Sequence, residues 1–238
     1  MYKNQSIPCM VLAAGRGERM RPLTDHTPKP LLKVKGKALI DWHIDGLTAN
    51  HLTDIVINHA WLGEQITEHI NQSKFKKLNI QLSAEHEALE TAGGLRQAMP
   101  LMKIDDYFFA INGDVFCPQF PFERILDITN QLRKNERPPM AYLFLTQNPS
   151  HHPEGDFQLN GNLVTDKTNS SINYTFSGAG LYHQDLFKSI KMGSVAKLAP
   201  ILRSAMSENL VLGEMLNVLW VDVGTPERLA ELNSNDNI

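Results

Sequence analysis

The chain has 238 residues, of which 42% are hydrophobic and 21% charged, and its formal net charge is −3 at pH 7. This length suits one α/β domain with a sizeable core, and the charge excludes a general attraction to nucleic acid or anionic membranes. No apolar run of about 18 residues and no signal peptide is apparent, and Cys9 and Cys117 have no metal-binding or redox spacing. We therefore expect buried thiols and a cytoplasmic protein.

Strands and helices alternate over the first 146 residues. The apolar patterns predict strands at 9–13, 54–58, 79–83, 106–115 and 140–148. They predict helices at 38–50, 61–70, 91–99, where Thr91 could cap, and 122–135. This alternation predicts a Rossmann-like α/β fold, an open and mostly parallel (mixed) sheet flanked by helices. Ligands bind such sheets at the carboxyl ends of the strands, so the loops after Ala13, Asn58 and Ile111 should share one edge.

The pattern changes after residue 146. We predict a hairpin at 157–164 with an Asn-Gly turn, a strand at 174–182 and a helix within 197–206. A strand, a turn and a helix follow at 219–232, where Thr225 could cap a helix that starts with Pro226.

The loop LAAGRGERMRPLTDHTPKPLL, at 12–32, contains two glycines and several cationic side chains. Gly15 and Gly17 permit positive φ and a close approach of the backbone to a ligand. Arg19 and Lys29 supply charge, and prolines on both sides of Lys29 restrict where its ammonium points. The loop therefore predicts a preorganised cradle for a polyanion, best of all a triphosphate.

Two familiar phosphate-binding motifs do not fit. Met20 occupies the third glycine position of G-x-G-x-x-G, and Gly36-Lys37 is followed by Ala38 rather than Ser or Thr. The nine histidines form no zinc-binding pattern. A surface loop with scattered charges remains the structural alternative.

The same loop resembles the motif of the sugar-1-phosphate nucleotidyltransferases, G-x-G-x-R-x-x-P-x-T followed by P-K-P. NGDV at 112–115 and VDVGTPE at 221–227 are similar to the two metal-binding aspartate motifs of that family. Glu18 departs from the threonine that many members carry. The resemblance covers nearly the whole chain and implies a nucleotide-diphospho-sugar transferase fold. It also implies attack by a sugar-1-phosphate oxygen on the α-phosphorus of a nucleoside triphosphate, with pyrophosphate leaving.

Within the family, GERMRPLT, INHAWLG, ETAGG and NPSHHPEGDF resemble the N-acetylmuramate-1-phosphate uridylyltransferases of peptidoglycan recycling. This implies UTP and N-acetylmuramate 1-phosphate as substrates. Mannose-1-phosphate guanylyltransferases share much of the pattern, and glucose or N-acetylglucosamine 1-phosphate with UTP or dTTP is a further enzyme alternative. A catalytically inactive nucleotide-sugar sensor is the alternative outside enzymes.

The resemblance also implies roles for individual residues. Arg19 would contact the leaving pyrophosphate and Lys29 the reacting phosphates, while Asp114 and Asp222 would hold Mg²⁺. The implied nucleotide site comprises Leu12, Ala13, Ala14, Gly15, Gly17, Glu90, Ala92, Gly93 and Asn112. The implied sugar-phosphate site comprises Asn58, Asp156, Gly178 and Arg203.

Several of these residues have a structural alternative. Gly93 and Gly94 would admit a flat base or would merely allow tight helix packing. Asn58 could form a turn, Asp156 could end a hairpin, and Arg203 could be an ion-paired helix residue.

We expect one domain over 1–238, with a nucleotide-binding half at about 1–146 and a sugar-binding half at about 147–215. The metal motif and the last helix would occupy 216–238. Many relatives carry a C-terminal left-handed β-helix, for which the residues after Asp222 leave no room. We therefore expect a monomer or weak homodimer that binds UTP and a sugar 1-phosphate but no nucleic acid or membrane.

Overall fold

The computed structural model describes residues 7–72, 74–168 and 172–235. Its strands are β1 (Cys9–Leu12), β2 (Lys33–Val34), β3 (Lys37–Ala38), β4 (Ile55–His59), β5 (Ile80–Ala84), β6 (Tyr107–Asn112), β7 (Val115–Phe116), β8 (Ala141–Thr146), β9 (Phe157–Asn160), β10 (Leu163–Asp166), β11 (Thr175–His183), β12 (Val211–Met215) and β13 (Val221–Asp222). Its helices are α1 (Leu39–Ala49), α2 (Gly63–Gln72), α3 (Glu90–Ala98), α4 (Ile125–Leu132), α5 (Leu198–Met206) and α6 (Pro226–Ser234). None of the helices in these ranges is long and apolar enough to cross a membrane.

A mixed sheet of nine strands forms the centre, in the order β5-β4-β1-β6-β11-β8-β12-β10-β9. β5, β4, β1 and β6 are parallel neighbours. The apolar runs of β4, β1 and β6 are buried on both faces, as helix-covered parallel strands require, whereas the edge strand β5 is mostly half-buried. β11 pairs antiparallel with both β6 and β8, while β12 is parallel to β8 and the hairpin of β9 and β10 closes the far edge. Seven strands therefore point one way and β10 and β11 the other, which confirms the predicted mixed, mostly parallel sheet.

The buried side chains of the described residues form three clusters. Two of them lie between the sheet and its helices. The third joins Met20 of the glycine-rich loop to Phe116 of β7 and to Leu229 and Leu232 of α6. The last helix therefore packs on the loop and on the strand that follows Asp114.

Two sequence predictions about elements need correction. Thr91 lies inside α3, whose preceding residue Leu89 makes no side-chain cap. β12 was not predicted, because Gly213 and Glu214 interrupt its apolar run. Gly213 is needed there, since a Cβ would lie 2.4 Å from the Leu143 carbonyl oxygen of β8.

Most other local predictions are confirmed. Thr225 accepts a hydrogen bond from the Arg228 amide, 3.4 Å away, and Pro226 begins α6. The predicted hairpin of β9 and β10 forms, but its turn is Gly161-Asn162 and not Asn160-Gly161, because Asn160 is still paired with Leu163 and Gly161 takes the positive φ of 62°. Cys9 and Cys117 are free and buried, and burial raises the pKa of Cys117 to about 12. Both thiols are therefore packing groups.

Candidate active site

The glycine-rich loop follows β1 at the carboxyl edge of the sheet. Gly17 has a φ of 69°, and a Cβ there would lie 3.0 Å from Thr24 Cγ2 and 3.2 Å from Lys29 Cβ. Gly15 faces open space, with no heavy atom within 4 Å of a built Cβ. Gly17 therefore shapes the loop, while Gly15 leaves its backbone accessible.

Bonds within the molecule hold this loop in place. The Thr24 hydroxyl donates to the Gly17 carbonyl at 2.9 Å. The Thr24 carbonyl accepts from Arg16 at 2.9 Å and from the Trp61 indole at 3.0 Å. The Arg16 guanidinium also lies 3.8 Å from the Trp61 ring centroid. Trp61, which lies just before α2, therefore holds the glycine-rich loop in place through Arg16 and Thr24.

Lys29 lies between the two aspartates that the sequence singled out. Its ammonium is 2.5 Å from Asp114 Oδ2 and 3.9 Å from Asp222 Oδ1. Only 6% of Lys29 is exposed, so the charge depends on these carboxylates for compensation.

A short antiparallel ladder brings the two aspartates together. In the pair of β7 and β13, Asp222 stands opposite Val115, and the Val223 amide donates to the Asp114 carbonyl at 3.2 Å. Behind the ladder, His43 Nε2 of α1 lies 2.9 Å from the Val115 carbonyl. Burial lowers the pKa of His43 to about 4, so at neutral pH it serves as a neutral donor to that carbonyl.

Asp222 is also surrounded by other cationic or imidazole groups. Arg228 Nη1 donates to Asp222 Oδ2 and to the Asp222 carbonyl, both at 2.8 Å. His151 Nε2 lies 3.7 Å and Arg19 Nη2 4.0 Å from the same carboxylate. Burial and the nearby Arg228 charge lower the pKa of His151. Sequence reasoning missed Arg228, although its place in the first turn of the helix after Asp222 was a usable signal.

The metal-binding capacity of the site is limited to these two carboxylates. Among the described residues, no group of three or more His, Cys, Asp or Glu side chains is arranged to hold a metal ion. Two hard oxygen ligands completed by substrate phosphates and water suit Mg²⁺, which keeps waters and uses few protein ligands. The donor set therefore fits the ion that the resemblance implies.

A first cleft opens beside the glycine-rich loop. Six residues of the implied nucleotide site line it, namely Leu12, Ala13, Ala14, Gly15, Glu90 and Asn112. Lys29 and Asp114 form its inner end. Glu90 adopts a φ of 60°, an uncommon conformation that recurs at binding sites.

Ala92 and Gly93 do not line this cleft, contrary to the expectation. Both are buried in α3, and their amides donate to the Ala196 carbonyl at 3.0 and 3.1 Å. A Cβ on Gly93 would lie 2.4 Å from the Ser194 carbonyl oxygen. The structure thus supports the packing alternative for this glycine.

Asn58 lies in the first cleft, not among sugar-facing residues. Its Oδ1 accepts from the Ala13 amide at 2.8 Å, and its Nδ2 donates to Glu85 Oε1 at 2.7 Å. Glu85 Oε2 in turn accepts from the Leu89 amide at 2.9 Å, and burial raises the pKa of Glu85. This buried strap ties the ends of three strands together, and it places Asn58 in the wall of the first cleft rather than the second. Sequence reasoning missed Glu85 because nothing marks it among the acidic residues at 85–90.

A second cleft adjoins the first and shares Asn112 and Asp114 with it. Its walls include Arg19, Asp156, Asp222, His151, His152, Ser177 and Trp220. Gly178 underlies the junction, because a Cβ there would lie 2.5 Å from Asn112 Nδ2. The structure thus brings Asp156 and Gly178 to this region, as expected.

Arg203 is not brought to either cleft. Its Nε donates to Asp166 Oδ1 at 2.9 Å on the exposed face of α5. The ion-paired alternative is therefore correct for this residue.

Comparisons with known proteins agree with the geometry. A family model described as nucleotidyl transferase matches residues 9–237. The chain is 47% identical to the N-acetylmuramate alpha-1-phosphate uridylyltransferase of Neisseria meningitidis, over 93% of this chain and 95% of that protein. It is 30% identical to the enzyme of the same name from Caulobacter vibrioides, over 92% of each chain.

More distant relatives share the architecture. A mannose-1-phosphate guanyltransferase of Hypocrea jecorina is 28% identical over 92% of this chain and 61% of that protein. A solved structure of a putative glucose-1-phosphate thymidylyltransferase from Bacillus anthracis superposes with a TM-score of 0.81 at 18% identity, covering 96% and 94% of the two chains. From its motifs, its fold and these relatives, the chain belongs to the nucleotidyl transferase family, as a sugar-1-phosphate nucleotidyltransferase.

Proposed function

We propose that the protein transfers a uridylyl group from UTP to N-acetylmuramate 1-phosphate, giving UDP-N-acetylmuramate and pyrophosphate. The observation that carries the proposal is the meeting of two clefts at Asn112 and Asp114, beside the buried Lys29. A transferase that joins two phosphorylated substrates needs two sites with one shared reacting centre. The bacterial relative at 47% identity supports uracil and N-acetylmuramate as the base and the sugar. A cytoplasmic role in peptidoglycan recycling, which the sequence resemblance implies, is part of the same proposal.

The first cleft would take the nucleotide. The accessible backbone at Gly15 and the amides of the braced loop supply donors for the triphosphate, and Arg19 adds an exposed guanidinium. Because Thr24 and Trp61 already fix the conformation of the loop, binding of the triphosphate requires little further ordering of its backbone. This cleft lies within 12–114, which supports a nucleotide-binding half at about 1–146.

The reacting centre would lie where Lys29 faces Asp114 and Asp222. The two carboxylates would hold Mg²⁺, which when bound supplies charge neutralisation for substrate phosphates. Lys29 and Arg19 add positive charge where charge develops on the leaving pyrophosphate. Electrostatic stabilisation of this kind, together with positioning, dominates phosphoryl-type transfers.

The second cleft would take the sugar 1-phosphate. Its phosphate is an anion at neutral pH and is already nucleophilic, so no strong general base is required of the protein. The main task of the cleft is to hold this anion in line with the α-phosphorus, against the repulsion between two polyanions. Asp156 offers oxygens to sugar hydroxyls, and the walls from 149 onward support a sugar-binding half at about 147–215.

Pyrophosphate release across a substrate matrix tests the proposal. UTP, dTTP, GTP, ATP and CTP are each combined with the 1-phosphates of N-acetylmuramate, N-acetylglucosamine, glucose and mannose, in the presence of Mg²⁺. A preference for UTP with N-acetylmuramate 1-phosphate is expected. A preference for GTP with mannose 1-phosphate would instead support the guanylyltransferase alternative, and inactivity throughout would support the sensor.

The metal assignment is tested in the same assay. Asp114→Asn and Asp222→Asn should each lower kcat by at least about 100-fold, the scale of losing one strong transition-state contact. Asp127→Asn, at an exposed position on α4, is the matched control. Turnover near the wild-type value in either site variant, at saturating Mg²⁺, would contradict the assignment.

A further inference from the structure

We infer that His152 selects sugars that carry a carboxylate, by binding that group at the outer end of the second cleft. The inference rests on the proposed function, in which the acceptor is N-acetylmuramate 1-phosphate. This sugar differs from N-acetylglucosamine by a lactyl ether on O3, which adds a carboxylate away from the anomeric phosphate. The chain therefore needs a donor or cation that meets this carboxylate and has no counterpart for the neutral sugar.

Strand β11 orders the contacts along the second cleft. Gly178 contacts Asn112 at the junction of the clefts, and the Ser177 carbonyl accepts from the Trp220 indole at 2.8 Å. One residue further out, the Phe176 amide donates to Asp156 Oδ2 at 2.9 Å. A β-bulge lies between Phe176 and Gly180, so the two residues from Gly178 to Phe176, where Asp156 is anchored, span at most about 7 Å of chain. This span is comparable with the distance across a pyranose from its anomeric oxygen to O3 and O4.

Asp156 by itself would oppose a carboxylated sugar. Its side chain lines the cleft, and a second negative charge nearby is unfavourable unless a positive group or donor offsets it. His152 Nε2 lies 3.1 Å from Asp156 Oδ1, so this ring can donate to the carboxylate and, when protonated, offsets its charge. Its Nδ1 makes no hydrogen bond with the described residues, so the ring protonated at both nitrogens has one N–H left to donate to a substrate carboxylate.

The other basic side chains of the cleft are placed elsewhere. Among the described residues that line it, Arg19, His151 and His152 can carry positive charge. Arg19 and His151 both approach Asp222, at 4.0 and 3.7 Å, and so lie at the phosphate end. His152 pairs with Asp156 instead, at the end where the substituent on O3 is expected. Its place beside Asp156 therefore distinguishes His152 from Arg19 and His151, which lie beside Asp222.

The test compares two acceptors in one variant. For His152→Gln, kcat/KM with N-acetylmuramate 1-phosphate should fall by about 10-fold or more, the scale of one hydrogen bond to a charged group. The kcat/KM with N-acetylglucosamine 1-phosphate should fall less, so that the ratio of the two kcat/KM values drops, and an unchanged melting temperature shows that the variant is folded. His152→Arg should restore part of the preference. His69→Gln is the matched control, because His69 forms a similar pair with Asp41, 2.7 Å away on α1, outside both clefts.

The possible negative results separate the inference about His152 from the proposed function. Equal losses with both sugars would give His152 only a structural role in the loop before β9 and would overturn the inference. So would an unchanged preference in His152→Gln. If the wild-type protein itself prefers a sugar without a carboxylate, the proposed function fails, and the inference with it.

Discussion

Lys29 is the residue on which the candidate site depends most. Its ammonium contacts two carboxylates of which 35% and 24% remain exposed, while its own side chain is 8% exposed. A lysine is rarely buried unless it is paired, and here its two partners are the implied metal ligands. A lysine in such a loop would be expected to be exposed and to influence stability little, but the structure buries it. Proline neighbours predicted a fixed direction for the side chain, but no periodic pattern reports how deeply a loop residue is buried.

We predict that Lys29→Met lowers kcat by at least about 100-fold, because the charge next to the reacting phosphates is lost while the apolar stem is kept. Stability should fall by about 1–2 kcal/mol in metal-free buffer, because two facing carboxylates lose their cation and are only partly screened by solvent. Turnover assays and urea unfolding measure the two effects.

The exposed neighbour Lys33 provides the comparison for this variant. Lys33→Met, in β2, should leave both turnover and stability close to wild type. If Lys29→Met were stable and active, the assignment of Lys29 to the reacting centre would be wrong.

At the scale of elements, α3 shows how a glycine pair can be misinterpreted. ETAGG resembles a base-reading segment, yet Gly93 lies against the backbone at 194–196, and its amide bonds to Ala196. The sequence kept both possibilities open because close packing and close ligand approach favour the same residue type. Only the position of a distant segment, about a hundred residues later, distinguishes them.

We therefore predict that Gly93→Ala destabilises the protein by roughly 1–3 kcal/mol, as overpacking does. Glycine to alanine within a helix is otherwise stabilising by up to about 1 kcal/mol, so the sign of the change is informative. The free energy of unfolding in urea and the KM for UTP should be measured together. A raised KM with unchanged stability would show instead that Gly93 contacts the base.

At the scale of the whole molecule, the third hydrophobic cluster connects the last helix to the site. Leu232 of α6 packs in the same cluster as Met20 of the loop and Phe116, which follows Asp114 by two residues. We predict that Leu232→Ala lowers kcat/KM for the nucleotide at temperatures where the variant remains folded. The cost in stability should be about 2–5 kcal/mol, as for other buried leucines.

Leu202→Ala separates this local effect from general destabilisation. Leu202 is 1% exposed and packs in the second cluster, away from the loop. It should cost similar stability and leave kcat/KM unchanged in the folded protein. Equal kinetic losses in both variants would mean that α6 has no particular connection to the site.

The sequence predicted the parallel half of this fold well and the rest less completely. Continuous apolar runs marked β1, β4 and β6, and their carboxyl ends meet as expected. β12 was missed because Gly213 and Glu214 weaken its pattern, and sheet order in the second half depends on long-range pairing that local pattern does not encode. For the site, motif residues were found, whereas Glu85, Arg228 and the burial of Lys29 depend on contacts between distant segments.

The reversed direction of β11 has a consequence for how such enzymes change acceptor. If β11 ran parallel to β6, it would end at the sheet edge, and a loop would form this wall of the second cleft. Because β11 enters from beyond that edge, this wall of the second cleft is strand backbone, with a β-bulge between Phe176 and Gly180 that places Gly178 beside Asn112. Side chains can be exchanged along this strand, and at the facing loop positions 149–156, without changing the strands that carry the glycine-rich loop. Acceptor choice is thus separable from nucleotide chemistry, and substitutions within a few positions should redirect one while sparing the other.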